Sequence, residues 1–129
     1  MKRGLSLVET IFSLALLALV LIVVLNLFPS SMATVRVAEQ RYRAETLAAS
    51  VLDDQVSQPF SSLTVGLSQD LAASIYDQVA YRPHLDISAA GTEDPNYLKS
   101  VKITVQWTYR GQPRAVIREL WIHHMPGQI

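Results

Sequence analysis

The chain of 129 residues contains no cysteine, which excludes a disulfide framework and thiol chemistry. Neither sign of charge dominates, because eleven Lys and Arg residues balance eleven Asp and Glu residues. Without Lys2 and Arg3 the basic residues fall to nine, and the remaining chain is mildly acidic. Nucleic-acid-binding domains usually carry a basic patch, so this balance argues against a nucleic-acid partner.

Charge is also missing from a long stretch near the N-terminus, between Glu9 and Arg36. Within it, Ile11–Phe28 is apolar except for Ser13 and Asn26. Together with the apolar residues before Glu9, this stretch is long enough to cross a lipid bilayer as a helix. The sequence therefore predicts a single-pass membrane anchor.

The basic residues Lys2 and Arg3 precede the anchor and predict a cytoplasmic N-terminus. The C-terminal domain would then lie outside the inner membrane, on the periplasmic or extracytoplasmic side. A secretory signal peptide is the alternative, but it would have a shorter apolar core followed by a small-x-small cleavage site. Ser31-Met32-Ala33 is a poor match to that site, and Glu9 is unexpected inside a signal peptide.

Glu9 is the unusual residue of the predicted anchor. A charged side chain costs about 2.5–3.5 kcal/mol at the centre of a membrane helix and less near an interface. A simple anchor has no use for such a residue, so Glu9 is a candidate functional residue that needs a partner.

The segment Gly4-Leu5-Ser6-Leu7-Val8-Glu9 resembles the processing site of type IV pilins and of the pseudopilins of type II secretion systems. In that family a basic leader ends in glycine, prepilin peptidase cuts after it, and the fifth mature residue is glutamate. Cleavage after Gly4 would make Leu5 the first residue and Glu9 the fifth. The family usually has phenylalanine first, often N-methylated. Leu5 departs from that pattern, and its methylation is what the resemblance implies.

The resemblance also implies a role for Glu9 in assembly and register. Cleavage would create an α-amine on Leu5, and such amines have an ordinary pKa of about 8. In a low dielectric an amine and a carboxylate favour each other's charged form. We therefore expect Glu9 to pair with the amine of Leu5 on a neighbouring subunit. The residues alone leave open a carboxylate that stays at headgroup level, or is protonated, without pairing.

The pattern from Leu5 to about Gln58 predicts one long helix with a kink at Pro29, because proline removes a backbone hydrogen bond. Pilins commonly bend near this point, a few residues earlier. The alternative is that Pro29-Ser30-Ser31 ends one helix and caps the next. Beyond it an apolar stripe at helical spacing predicts packing on a sheet; its members are Val37, Ala44, Leu47, Ala48, Val51, Leu52 and Val56. Glu39 with Arg43, and Arg41 with Glu45, are spaced to pair on the exposed side.

Two segments alternate with the period of a strand, and a third follows as a hairpin partner. Val79–Ile87 alternates but contains Pro83, which predicts an edge or bulged strand. Lys99–Tyr109 alternates most clearly, and after a turn at residues 110–113 Ala115–His124 returns as its hairpin partner. Leu63–Ser74 is ambiguous and is compatible with a turn and a short helix opening at Ser68. Ala89–Asn96 reads as a polar loop.

These elements predict an α+β fold, in which a long N-terminal helix packs on an antiparallel sheet of three or four strands. We divide the chain into a leader at residues 1–4, a membrane half of the helix at 5–28, an amphipathic half at 29–58, and a globular domain at 59–129. Pilins and pseudopilins share this build.

No group of residues in the sequence predicts catalysis, a cofactor or a metal site. His123 and His124 are neighbours on a strand, so their side chains point to opposite faces. His84 has no carboxylate or cysteine at ligand spacing, and no serine lies in a recognisable nucleophile setting. Trp107 and Trp121 are expected in the sheet core, with a partner-binding role as the alternative. Enzymatic activity is not predicted.

The expected function is therefore a structural subunit, a minor pilin or minor pseudopilin of a type IV pilus or type II secretion pseudopilus. Its partners would be prepilin peptidase, the inner-membrane assembly platform, the lipid bilayer and other pilin or pseudopilin subunits. The alternative is a membrane-anchored binding module for adhesion or DNA uptake that is not built into a fibre. An anchored periplasmic enzyme would need a catalytic cluster that the sequence does not offer.

Overall fold

The structure is a computed structural model that describes residues 6–124, apart from the side chain of Ser30. A single helix, α1, runs from Leu7 to Val56 and contains Pro29. Because the helix continues through Pro29, the alternative in which Pro29-Ser30-Ser31 separates two helices is wrong. Helix α1 ends two residues before the predicted Gln58, and the predicted start at Leu5 lies outside the described residues.

Within the described part of the chain, five strands follow a short 3₁₀ turn at Phe60–Ser62. All pairings are antiparallel, the order is β1-β3-β4-β5, and β2 also pairs with β3. The strands are β1 (Ser68–Asp70), β2 (Ser74–Tyr76), β3 (Val79–Ala89), β4 (Leu98–Tyr109) and β5 (Gln112–His123). The α+β fold is confirmed, with five strands rather than three or four. The short helix at Ser68 is wrong, because this residue begins β1.

Strand β3 lies inside the sheet, so the edge position predicted from Pro83 is wrong. Its partners are β4 on one side and the two three-residue strands β1 and β2 on the other. The carbonyl of Pro83 accepts a hydrogen bond from Leu71 N, 2.9 Å away, in the gap between β1 and β2. The N–H that proline lacks therefore faces the place where the neighbouring strand is interrupted, which is how an internal strand tolerates it.

Both two-residue hairpin turns use backbone with positive φ. Arg110 and Gly111 join β4 to β5 with φ of 49° and 76°, and Asp77 and Gln78 join β2 to β3 with φ of 52° and 63°. Positive φ at both central residues is what type I′ hairpin turns require. The second turn achieves this conformation without glycine, at a conformational cost to both residues.

The chain divides into two compact units, with the boundary between Ala38 and Glu39. In the second unit, helix residues 39–56 cover one face of the sheet, which we call the inner face. Ala44 and Ala48 are completely buried there, with a cluster that includes Leu63, Tyr81, Leu85, Ile87, Val101, Ile103, Val105, Trp107 and Val116. The predicted stripe is confirmed at its centre, but Val56 is 40% exposed and does not belong to the core.

Ion pairs on the helix follow the predicted spacing. Arg43 Nη2 lies 2.6 Å from Glu39 Oε1, and Arg41 Nε lies 3.3 Å from Glu45 Oε1. Arg118 on β5 adds a third contact, 2.7 Å from Glu45 Oε2. These groups are substantially exposed, so each pair contributes about 0–1 kcal/mol.

Lys99, near the start of β4, is a buried cation. The residue is 8% exposed, and its Nζ donates hydrogen bonds to the carbonyls of Phe60 at 2.9 Å and Leu63 at 2.6 Å. The same ammonium lies 4.1 Å from the ring centroid of Phe60. Lys99 therefore ties the 3₁₀ turn to the sheet.

The first unit presents a different surface. Every side chain from Leu7 to Phe28 is exposed, on all sides of the helix. Among residues 6–124, α1 is the one helix long and apolar enough to cross a membrane, and that property resides near its N-terminus. Such a helix is consistent with a single-pass anchor.

Candidate functional site

Glu9 lies in the first turn of α1 with its side chain exposed. Its backbone N–H donates to Ser6 O at 2.9 Å, and a carboxylate in this turn also benefits from the partial positive charge of the helix N-terminus. Glu9 stands alone as a charge until Arg36. The two residues of the predicted cleavage site, Gly4 and Leu5, lie outside the described residues.

A shallow apolar groove lies on the first unit, in the part of α1 whose sequence includes Pro29. Ser31 Oγ donates to Leu27 O at 3.0 Å, as serine hydroxyls often do within helices. The groove has a volume of about 440 Å³ and is lined by Val24, Leu27, Phe28, Ser31, Met32 and Val35. Helix α1 is continuous through Pro29, and a kink at this residue stays a prediction.

A polar cluster on the outer face of the sheet was missed by sequence reasoning. Strand pairing places Asp70 opposite His84, and His84 Nδ1 lies 2.7 Å from Asp70 Oδ1. Its Nε2 lies 3.0 Å from Ser68 Oγ and 3.5 Å from Asp86 Oδ1. His84 therefore has two carboxylates close to it that the sequence did not predict. His84 and Asp86 share a face by strand alternation, which was the one available sequence signal.

The cluster brings a serine, a histidine and two carboxylates together, and their charges stabilise one another. The hydrogen bond to Asp70, with the negative charge of Asp86, raises the pKa of His84. The Ser68 hydroxyl bonds to Asp86 and, with nearby His84, lowers the pKa of that carboxyl. These contacts join β1 to β3, and we call the cluster the clasp.

The two tryptophans occupy opposite environments. Trp107 is 7% exposed on the inner face, with its ring 6.0 Å from that of Tyr81. Trp121 is 60% exposed on the outer face, so its predicted place in the core is wrong. Its Nε1 donates to Glu119 Oε1 at 3.0 Å, and the same oxygen accepts from Ser100 Oγ at 2.6 Å. The alternative role for Trp121, partner binding, stays open to test.

A second groove lies between helix residues 39–50 and β2, and it has a volume of about 680 Å³. Three tyrosines line it, with Tyr42 73% exposed and Tyr76 51% exposed. The guanidinium of Arg43 lies 3.3 Å from the ring centroid of Tyr76. The hydrogen bond from Arg43 to Glu39 raises the pKa of Arg43. The groove is thus apolar, with one ion pair at its wall.

Metal-ligand geometry is not found among residues 6–124, where no three His, Asp or Glu side chains are arranged to hold an ion. Asp70 contacts Nδ1 of His84 whereas Asp86 approaches Nε2, so the two carboxylates flank the ring instead of converging on one point.

Comparison with known proteins finds no family model that matches the chain, and neither the curated proteins nor the solved structures include a significant match.

Proposed function

We propose that the chain is a structural subunit, a minor pilin or minor pseudopilin, that prepilin peptidase trims after Gly4. The mature subunit is held in the inner membrane by its N-terminal helix. It then leaves the bilayer for a type IV pilus or a type II secretion pseudopilus, in which neighbouring helices replace the lipid.

The observation that carries this proposal is Glu9, the one charged residue between Leu7 and Phe28, a part of α1 whose side chains are exposed on every side. Such a surface needs apolar surroundings along its whole circumference, and lipid or other helices supply them. The carboxylate in turn needs a cation within that surrounding. The amine of a trimmed Leu5 on the next subunit supplies one.

Two measurements test the proposal. The mass of the native N-terminus should correspond to a chain that begins at Leu5, and an intact Met1 in the functional protein would refute trimming. Glu9→Leu should leave membrane insertion intact but lower incorporation into the fibre. A lost pair worth about 1.4 kcal/mol corresponds to a tenfold decrease. Ser13→Leu, four residues along the same helix, is the matched control and should assemble normally.

The groove lined by Tyr42, Tyr76 and Tyr81 favours a second candidate function, a membrane-anchored binding module outside any fibre. Its volume of about 680 Å³ lies within the usual range of ligand sites. Under this alternative Tyr42→Ala abolishes adhesion or uptake, and Glu9→Leu has no effect. The structural-subunit proposal expects the reverse.

A further inference from the structure

The two edges of the sheet are protected to different degrees. One edge consists of the short strands β1 and β2, and an interrupted edge of this kind offers a second polypeptide few consecutive hydrogen-bonding groups. The other edge is β5, which pairs with β4 in unbroken register over 12 residues, all within the described part of the chain. Apart from Pro113 near its start, β5 has none of the prolines, lysines or bulges that usually prevent an edge strand from pairing. This edge is therefore open to a further strand.

The hydrogen bonds of the hairpin show which backbone groups of β5 are free. His124 N donates to Tyr97 O at 2.8 Å, one step beyond the pairing of Leu98 with His123. Because hydrogen-bonded and non-hydrogen-bonded pairs alternate in an antiparallel ladder, even-numbered residues of β5 bond to β4, and odd-numbered ones direct their N–H and C=O groups away from it. Pro113, which has no N–H to donate, is one of the odd-numbered residues. Within residues 6–124 the outward groups have no backbone partner; they belong to Ala115, Ile117, Glu119 and Trp121.

Large apolar side chains lie beside this free backbone. Ile117 is 62% exposed and Trp121 is 60% exposed, and strand alternation places both on the outer face of the sheet. The indole of Trp121 donates to Glu119 Oε1, which also accepts a hydrogen bond from Ser100, so the ring is held in place before any partner arrives. Exposed aromatic and aliphatic side chains that are already positioned are typical of contact surfaces.

The charges on β5 restrict what can lie against it. Glu119 and Arg114 are exposed, and within residues 6–124 neither has an oppositely charged group at ion-pair distance. Arg118, between them, is already paired with Glu45. The hydrogen bonds from Ser100 and from the indole lower the pKa of Glu119, which keeps it anionic. Because opposite charges across a strand pair attract, an added strand needs a basic residue opposite Glu119 and an acidic residue opposite Arg114.

We propose that β5 receives an extended segment of another protein as an added antiparallel strand, in which apolar residues lie opposite Ile117 and Trp121, a basic residue opposite Glu119, and an acidic residue opposite Arg114. In this mode of binding the main-chain hydrogen bonds supply affinity, and the alternating side chains supply specificity. The contact involves only the globular unit, so it is independent of the trimming of the anchor.

A synthetic strand tests this chemistry. The probe is acetyl-Val-Val-Lys-Thr-Val-Val-Thr-Glu-amide, which in the antiparallel register sets its first residue opposite Trp121, its lysine opposite Glu119 and its glutamate opposite Arg114. With a fluorescent label it should bind saturably to the full-length chain in detergent, measured by anisotropy. The absence of saturable binding overturns the proposal.

Two control peptides separate the contributions of charge and backbone. A peptide with its lysine and glutamate exchanged has the same composition and should bind about threefold to tenfold more weakly. A peptide N-methylated on its third and fifth residues keeps every side chain but loses two N–H groups that face β5, and it should bind at least about tenfold more weakly. Equal binding of the three peptides overturns the proposal.

Matched variants of the two edges test where the probe binds. Ile117→Lys places a charge on the open edge and should weaken binding about threefold to tenfold. Ile75→Lys is the control, because Ile75 is 75% exposed on β2 at the opposite edge, and this variant should bind like the natural chain. Ile117→Pro removes an N–H that faces the partner and that β4 does not use, so it should abolish binding while the sheet stays folded. Equal loss in Ile75→Lys and Ile117→Lys would refute binding at β5.

Amide hydrogen exchange identifies the backbone groups that the added strand covers. In the free chain the amides of Ile117 and Glu119 should exchange faster than those of Arg118 and Leu120, because β4 bonds only to the latter two. Saturation with the probe should slow exchange at Ile117 and Glu119. If their exchange does not change when the probe is bound, strand addition is refuted.

A second copy of this chain is the alternative occupant of the edge. If the full-length chain forms dimers that both Ile117→Lys and the probe dissociate, β5 pairs between copies, and the proposal of a different protein is refuted. The outcome is also separate from that of the proposed function. A functional chain that retains its first four residues refutes trimming alone, whereas a trimmed chain that does not bind the probe refutes strand addition alone.

Discussion

Replacing Lys99 by methionine should destabilise the globular domain, because it removes the ammonium and keeps the length of the side chain. The substitution removes two hydrogen bonds from Lys99 Nζ, one of 2.9 Å to Phe60 O and one of 2.6 Å to Leu63 O. A buried acceptor left without a donor costs about 1–3 kcal/mol. Two effects reduce this cost. The Phe60 carbonyl is only partly buried and can form a hydrogen bond with water instead. In addition, the variant no longer pays the free-energy cost of burying a charged ammonium. We expect a net loss of about 2 kcal/mol.

The matched control is Lys102→Met, on the same strand and on the outer face. Lys102 Nζ lies 3.9 Å from Asp86 Oδ2, and its side chain is 43% exposed. A pair this exposed contributes little, so the control should change the free energy of unfolding by less than about 0.5 kcal/mol.

Thermal unfolding of the full chain in detergent, followed by Trp107 emission, distinguishes the two variants. Trp107 is 7% exposed and reports on the domain core, whereas the exposed Trp121 is removed by a Trp121→Phe background. For a domain of this size, 2 kcal/mol lowers the midpoint by about 10 °C. Equal midpoints for Lys99→Met and Lys102→Met would refute the argument that the buried ammonium secures the 3₁₀ turn.

Three further predictions use the same unfolding assay. Ala48→Leu inserts volume where the helix is completely buried and should cost about 1–3 kcal/mol, whereas exposed Ala49→Leu should be neutral; equal effects would contradict the packing. Gln78→Gly relieves a φ of 63° and should stabilise by about 0.5–1 kcal/mol, and a loss would contradict the turn type. Because its contact with Asp70 raises the pKa of His84, the clasp stabilises the domain fully below the ordinary histidine pKa and loses its effect as pH rises through the folded value. The stability advantage over His84→Gln should therefore shrink as the pH rises above the ordinary histidine pKa of about 6.5; a constant difference would contradict the clasp.

Long periodic segments made the architecture predictable, and short ones hid part of it. Strand β4 has 12 residues, enough for period-two alternation to be unmistakable, and the equally long β5 could be inferred as its hairpin partner after a short turn. Strands β1 and β2 have three residues each, too few to leave a period. The turn at Asp77 and Gln78 has positive φ without glycine, so the usual hairpin signal was missing. Pro83 predicted an edge strand, but β3 lies inside the sheet because Pro83 faces the gap between β1 and β2.

The candidate residues divide in the same way. Glu9 could be identified as a candidate because an isolated charge within an apolar run can be recognised from the sequence alone. The clasp around His84 could not, because Ser68 and Asp70 reach it only through the register of a three-residue strand. Trp121 could not be separated from Trp107, because alternation assigns residues to two faces but does not say which face the helix covers.

The two halves of α1 impose different requirements on their surroundings. Between Glu39 and Val56 a single buried stripe, centred on Ala44 and Ala48, is covered by the chain's own sheet. Between Leu7 and Phe28 no side is covered, so this half cannot be satisfied by one partner surface. A bilayer surrounds it completely, and so does a bundle of like helices. Leaving the membrane is therefore tolerable for this helix only if other helices replace the lipid on every side. In the proposed function, Glu9 pairs with the amine of Leu5 on a neighbouring subunit, and this pairing would favour such a bundle at one particular register.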